Sequence, residues 1–255
     1  MLNLQRFERK SRCKSLACVT AVGVSLFCST IASAGSATFS STNIQYLYGT
    51  DYKLGDESRS IVTVEHVNAW KYGDNFFFTD ITNPTRTSKA TPTAFYGEFS
   101  PRLSLSALAG NSLATGIIKD VLISTTLEAG GGFHNYLAGF AVDLNVLPVA
   151  QINYYVRKEI GNNTETGSQL TFVWLAPFSI GSISMAFEGF LDYAWGNKPK
   201  EYNIVAGPRL LVDIGNFMGA PGALQAGIEY QYWKNKFGIK GVDENAPQAM
   251  VKWIW

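Results

Sequence analysis

Apolar and polar residues alternate in steps of two along much of this chain, and the pattern is clearest at its end. Within residues 246–255, one face carries Ala249, Val251, Trp253 and Trp255, and the other carries Gln248, Met250, Lys252 and Ile254. A period of two residues predicts a β-strand with one apolar and one mostly polar face. A closing strand of an outer-membrane barrel, with its terminal aromatic at the lipid interface, has this pattern.

Similar segments upstream predict about twelve strands, an even number, as single-chain bacterial barrels require. They cover residues 43–48, 60–68, 75–81, 94–105, 121–130, 136–145, 151–157, 169–176, 182–193, 203–213, 224–232 and 246–255. Polar connectors follow the odd-numbered strands, and several even-numbered strands lead into compact turns. Long outer loops and short inner turns are the asymmetry expected of a barrel in the outer membrane.

The fold class predicted is all-β, a transmembrane antiparallel β-barrel over residues 35–255. No run of about 20 apolar residues follows residue 34, so a membrane-spanning chain would have to cross the bilayer as strands. The alternative is a soluble all-β barrel or sandwich with the apolar face inside. The number of aromatic residues on that face favours the lipid-facing interpretation, because so many rings would overfill a small interior.

The first 34 residues are predicted to be a signal peptide. Basic residues precede an apolar run from Leu16 to about Thr30, and Ala32-Ser33-Ala34 gives a small-x-small cleavage site. All three cysteines lie within this segment, which excludes a disulfide framework in the remainder. Removal of five Lys/Arg and one Glu leaves 16 basic and 19 acidic residues, a net charge of −3 without a nucleic-acid-binding footprint.

In a membrane barrel, the polar faces of the strands line the lumen. The side chains predicted to line it and to contact a solute are Glu65, Phe77, Tyr96, Glu98, Arg102, Glu128, Tyr155, Arg157, Glu188, Arg209 and Glu229. Such charges either border a hydrated passage or pair with one another and plug it. Because acidic groups outnumber the arginines, we expect incomplete pairing, with Arg102 and Arg209 projecting into an open lumen.

Two prolines, Pro101 and Pro208, fall on predicted lipid-facing positions directly before Arg102 and Arg209. A closed barrel has no edge at which a missing N–H is free. A β-bulge at each proline, which would aim the following arginine into the lumen, is therefore predicted.

Catalytic motifs are absent from residues 35–255. The two histidines, His66 and His134, are far apart, and no HExxH, GxSxG or phosphate-binding glycine loop is present. We therefore predict that the protein is not an enzyme and uses no cofactor or metal.

The run from Val64 to Asp80, with Trp70-Lys71-Tyr72-Gly73-Asp74 at its centre, resembles the OmpK outer-membrane proteins of the nucleoside-specific channel-forming Tsx superfamily. Glu98-x-x-Pro101-Arg102-x-Ser104 is similar to that family's next segment. The resemblance implies a monomeric twelve-stranded barrel in the outer membrane, with a narrow lumen, nucleoside passage and attachment of phage or colicin at the outer loops.

In such a channel, we expect aromatic and charged side chains of the lumen to hold the nucleoside. Phe77, Tyr96 and Tyr155 would stack on the base, while Glu98 and Arg102 would hydrogen-bond the sugar hydroxyls. The alternative is a closed structural barrel that serves mainly as a surface receptor.

Overall fold

The computed structural model describes residues 37–85, 92–161 and 163–255. The predicted signal peptide, residues 1–34, lies outside the described residues. The described chain forms one antiparallel sheet that closes on itself, because β1 pairs with β13. Among the described residues, no helix combines the length and the apolar composition needed to cross a bilayer.

The sheet contains 13 strands in chain order. Their bounds are β1 (Ala37–Gly49), β2 (Arg59–Trp70), β3 (Gly73–Thr82), β4 (Ala94–Ser104), β5 (Ile118–Gly130), β6 (Phe133–Leu144), β7 (Val149–Ile160), β8 (Gly167–Ile180), β9 (Ile183–Trp195), β10 (Asn203–Ala206), β11 (Arg209–Asp213), β12 (Leu224–Lys234) and β13 (Glu244–Ile254). One short helix, α1 (Leu105–Ala109), follows β4, and two 3-10 turns (Gly215–Met218 and Lys236–Gly238) lie in later connections.

Strands β10 and β11 are two halves of one position in the barrel wall, since both pair with β9 on one side and β12 on the other. The wall therefore has twelve positions, and the predicted transmembrane barrel of about twelve strands is confirmed. The alternation is confirmed as well. In β13, every second residue from Glu244 to Lys252 is buried, and the residues between them are exposed.

The predicted bulges at the two prolines are wrong. The pairing of β4 with β5 keeps one register on both sides of Pro101, and the Thr125 hydroxyl donates to the Pro101 carbonyl at 3.2 Å. The pairing of β9 with β10 and β11 likewise keeps one register across Pro208. Each proline is accommodated by a local gap in the ladder, without an extra residue.

Gly189 permits β9 to lie close to the chain at the gap beside Pro208, between β10 and β11. A Cβ atom on Gly189 would lie 2.5 Å from the Gly207 carbonyl oxygen and 2.9 Å from the Pro208 Cα, closer than carbon atoms can pack. Any larger residue would therefore push β9 away from the interrupted strand.

Candidate functional site

The strand register divides side chains into an outward apolar face and an inward face. Outward residues include large exposed rings and aliphatic groups, ending with Trp253 and Trp255 on the last strand. Inward residues are mainly polar or small, as the alternation predicts for a barrel whose outer surface contacts lipid. The candidate functional site is the inward face, the lumen.

Ten of the eleven predicted lumen residues face inward in this register: Glu65, Tyr96, Glu98, Arg102, Glu128, Tyr155, Arg157, Glu188, Arg209 and Glu229. The prediction for Phe77 is wrong. Its ring is 40% exposed on the outer face and lies opposite Phe99 of β4. Three consecutive phenylalanines leave the direction of alternation ambiguous, and the inward rings in β3 are those of Phe76 and Phe78.

The first inward cluster surrounds Arg209 of β11. Its Nε donates to Glu229 at 2.5 Å, and its Nη1 lies 3.5 Å from Glu188 and 3.6 Å from Glu65. Lys252 donates to the same Glu188 oxygen at 2.7 Å. We call these five residues the Arg209 network. Because Glu65 belongs to β2, which is not a neighbour of β11, the network crosses the barrel interior.

Polar and apolar neighbours complete this side of the lumen. Glu65 accepts hydrogen bonds from Asn43 and Gln45, and Gln248 donates to Glu229 at 2.9 Å. Leu47, Leu211 and Met250 form a small buried hydrophobic cluster on the same strands. We call the interior bordered by β11, β12, β13, β1 and β2 the Arg209 side. Most of its charges are paired, and it contains this buried apolar cluster.

Two further arginines are also paired. Arg102 donates to Asp74 at 2.6 and 2.8 Å and to Asp143 at 2.8 Å. Arg157 forms a two-bond pair with Glu128, with Nη2 at 2.7 Å from Oε2. The expectation that Arg102 and Arg209 project unpaired into the lumen is therefore wrong. Buried guanidinium groups need carboxylate partners to offset the loss of hydration.

Aromatic rings follow the inward face of β3, β4 and β6. The ring centroids of Phe76 and Phe78 lie 5.9 Å apart, those of Phe78 and Tyr96 5.7 Å, and those of Tyr96 and Phe133 6.2 Å. We call these four residues the aromatic track. Gly130 leaves room for the last ring, since a Cβ there would lie 2.6 Å from Phe133.

Carboxylates flank the aromatic track. Glu98 accepts a 2.5 Å hydrogen bond from the Tyr96 hydroxyl, and on β9 Asp192 accepts one of 2.5 Å from Thr171. These four side chains are only half-buried although they face inward. We call the interior bordered by β3, β4, β8 and β9 the β4–β9 side. It exposes both rings and hydrogen-bond acceptors to the lumen.

Several of these residues escaped the sequence prediction. Asp192 and Lys252 fall on polar faces of predicted strands, so a strict count of alternating positions would have included them. Phe76 and Phe78 could have been found from Asp74 and Asp80, which share their face. Tyr155, predicted to contact a solute, is instead buried, and its hydroxyl is 2.7 Å from that of Ser124.

Hydrogen bonds link the connections between strands at one end of the barrel. Glu244 accepts hydrogen bonds from the backbone N–H of Lys53 at 2.8 Å and from the Lys236 ammonium group, and the Tyr52 hydroxyl donates to Gln248 at 2.6 Å. Burial raises the pKa of Tyr52 and lowers that of Lys236. This end corresponds to the predicted outer loops.

Comparison with known proteins gives one family and several relatives. The family described as "Nucleoside-specific channel-forming protein, Tsx" matches residues 36–251. The chain is similar to an outer membrane protein OmpK of Vibrio parahaemolyticus, with 25% identity over 62% of this chain and 61% of the relative. A second OmpK, from a serotype O3:K6 strain of that species, is 22% identical over 74% of this chain and 76% of its own length.

Among solved structures, a KdgM porin covers 83% of this chain and 98% of its own, with 11% identity and a TM-score of 0.50. At this identity, the likeness concerns the fold alone. The chain spans about three fifths of the length of the first OmpK relative.

Proposed function

Because the chain belongs to the Tsx family of nucleoside-specific channel-forming proteins and forms an outer-membrane β-barrel, we propose that it is a channel for the passive uptake of nucleosides. The family is one of channels and not of enzymes. We further propose that the channel acts as a monomer, since β1 and β13 close the wall within one chain.

The observation that carries this proposal is the aromatic track beside half-buried carboxylates. A nucleoside combines a flat base with a sugar that donates hydrogen bonds. Phe78 and Tyr96 offer ring faces and edges to the base, and Glu98 and Asp192 offer oxygens to the sugar hydroxyls. The β4–β9 side therefore provides both kinds of contact that this solute needs.

The test measures single-channel conductance in planar bilayers and its block by added adenosine. We expect adenosine to block the wild-type current and ribose to block it much less. Phe78→Ala should raise the half-blocking concentration roughly five- to tenfold, because one stacking contact contributes about 1 kcal/mol.

Phe77→Ala is the matched control, since it removes the same ring from the outward position of the neighbouring residue. It should leave the block unchanged. Equal effects of the two variants, or no block of the wild type by adenosine, would contradict the proposal.

A second candidate function is suggested by the 3-10 turn from Lys236 to Gly238. Phe237 is 52% exposed and the nearby Ile239 is 47% exposed, and Phe237 adopts a left-handed conformation with φ 58°. The buried Lys236–Glu244 pair holds the turn in place. Exposed apolar side chains on a fixed loop form a suitable contact surface for a phage or colicin.

This second candidate is tested with phages selected for growth only on cells that display the chain. The double variant Phe237→Ser/Ile239→Ser should lose adsorption while its conductance stays normal. Unchanged adsorption by every such phage would show that this turn is not the attachment surface.

A further inference from the structure

The charges that face the lumen are strongly unequal. By strand register, inward basic positions are Arg59, Arg102, Arg157, Arg209 and Lys252, whereas inward acidic positions are Glu65, Asp74, Asp80, Glu98, Asp120, Glu128, Asp143, Glu159, Glu188, Asp192, Asp213, Glu229 and Glu244. The field inside the barrel is therefore negative, although the chain as a whole carries a formal charge near zero.

Four of the five inward cations are held in salt bridges. Arg209 and Lys252 are held in the Arg209 network, and Arg102 is held by Asp74 and Asp143. Arg157 is held by Glu128. Each of these cations is already committed to at least one carboxylate.

Five inward carboxylates have no salt bridge among the described residues. Asp120 and Asp213 accept hydrogen bonds from backbone N–H groups near the strand ends. The other three are Asp80, Glu98 and Asp192. Each accepts a short hydrogen bond from one hydroxyl, given by Thr63, Tyr96 and Thr171 respectively. Hydroxyl donors position a carboxylate without neutralising it.

Glu98 and Asp192 act on the same region of the lumen. They belong to β4 and β9, which are far apart around the wall, yet hydrogen bonds link Asp192 to Glu128. Thr171 donates to Asp192, Gln169 donates to Thr171, and Arg157 donates to both Gln169 and Glu128. Glu98 and Glu128 are also direct cross-strand partners. We call Glu98, Glu128 and Asp192 the acidic cluster.

An unsatisfied acceptor lies in the same region. Asn135 is only 3% exposed and donates its Nδ2 to Glu128 at 2.7 Å, but its Oδ1 is buried without a hydrogen-bond donor. A buried carbonyl oxygen without a donor is costly, and it is satisfied when a cation or an N–H or O–H group enters. This acceptor is independent of the carboxylate charges and favours the same kind of ligand.

We propose that the acidic cluster, with Asn135, is a charge filter that admits cations and uncharged hydrogen-bond donors and excludes anions. The inference rests on the proposed channel function and deepens it by assigning the charge class of the permeating solute. The three carboxylates of the cluster have one arginine, Arg157, beside them, which leaves an excess of negative charge. In a narrow, weakly screened passage this excess repels an anion and attracts a cation. A phosphorylated nucleoside would be rejected on the same ground.

The test measures the reversal potential of the full chain in planar bilayers under a KCl gradient, with K⁺ and Cl⁻ as the probes. We expect the wild type to favour K⁺ over Cl⁻. The double variant Glu98→Gln/Asp192→Asn should lower the K⁺/Cl⁻ permeability ratio by roughly tenfold, equivalent to about 1.4 kcal/mol. Both substitutions preserve side-chain shape, and the folded state can be checked by its mobility on unheated gels.

Glu201→Gln is the matched control, because it removes one negative charge from an exposed loop position outside the lumen. It should leave the ratio unchanged. A conducting wild type that favours Cl⁻, or a double variant with the wild-type ratio, overturns the filter and leaves the channel function intact. A folded wild type without conductance overturns both.

Discussion

The two sides of the barrel interior are built from similar residues and differ in what those residues do with their charge. On the Arg209 side, Arg209 and Lys252 neutralise carboxylates from β2, β9 and β12, and Leu47, Leu211 and Met250 form a buried apolar cluster. On the β4–β9 side, Glu98 and Asp192 accept hydrogen bonds from hydroxyl groups and have no salt bridge among the described residues, and the nearby aromatic rings remain accessible.

A narrow barrel can therefore use one side of its interior for stability and leave the other side for transport. The Arg209 network links strands that are not neighbours, which the backbone hydrogen bonds of a sheet cannot do. The opposite side can then keep unneutralised carboxylates, which would be costly anywhere that water could not reach. Substitutions on the two sides should therefore differ in how much stability they cost.

Removing Arg209 should cause the largest loss of stability. Arg209→Ala leaves Glu65, Glu188 and Glu229 close together with only Lys252 as a cationic partner, and an orphaned buried charge costs about 3–5 kcal/mol. Urea unfolding in lipid vesicles measures the change. Arg209→Lys, which retains the positive charge, should lose much less, and equal losses would show that charge pairing is not what stabilises this side.

Leucines on the two sides should respond differently to the same substitution. Leu211 is fully buried, and Leu211→Ala should cost about 2–3 kcal/mol through the cavity it leaves. Leu175 also faces inward but is half-buried on β8, so Leu175→Ala should cost less than about 1 kcal/mol. Similar losses in urea unfolding would mean that both sides are packed alike.

Neutralising Glu98 should have the smallest effect on stability. Glu98→Gln leaves no cation without its partner, because Glu98 has no salt bridge among the described residues. The free energy of unfolding should therefore change by only about 0.5 kcal/mol. The same unfolding series measures it. A loss as large as that of Arg209→Ala would mean that Glu98 belongs to the structural network.

The sequence allowed the barrel and most lumen positions to be predicted, because a period of two residues fixes which face each side chain occupies. It succeeded where apolar and polar residues alternate, as at Ile44, Tyr46 and Tyr48 in β1. It failed at Phe77, where consecutive aromatic residues remove the polar signal that sets the direction.

The partners of the lumen charges could not be predicted, because they depend on contacts across the barrel. Arg102 meets Asp143 two strands away, and Arg209 meets Glu65 across the interior. Such contacts are fixed by strand stagger and tilt, which local patterns do not contain. The prediction of bulges at the two prolines was wrong for a related reason. Neighbouring strands supply hydrogen bonds in place of those that the prolines cannot make.

Single cysteines in the barrel wall can show whether solutes pass along the β4–β9 side. All three cysteines lie within residues 1–34, so the barrel strands contain none. Thr171 and Thr63 form a matched pair, since each donates its hydroxyl to an aspartate, but Thr171 is half-buried on β8 and Thr63 is buried on β2.

The measurement is the block of current by water-soluble thiol reagents in planar bilayers. Thr171→Cys should react and lose conductance, faster with a cationic reagent than with an anionic one, while Thr63→Cys should stay unreactive. Rapid block of Thr63→Cys, with Thr171→Cys unaffected, would show that solutes do not pass along the β4–β9 side.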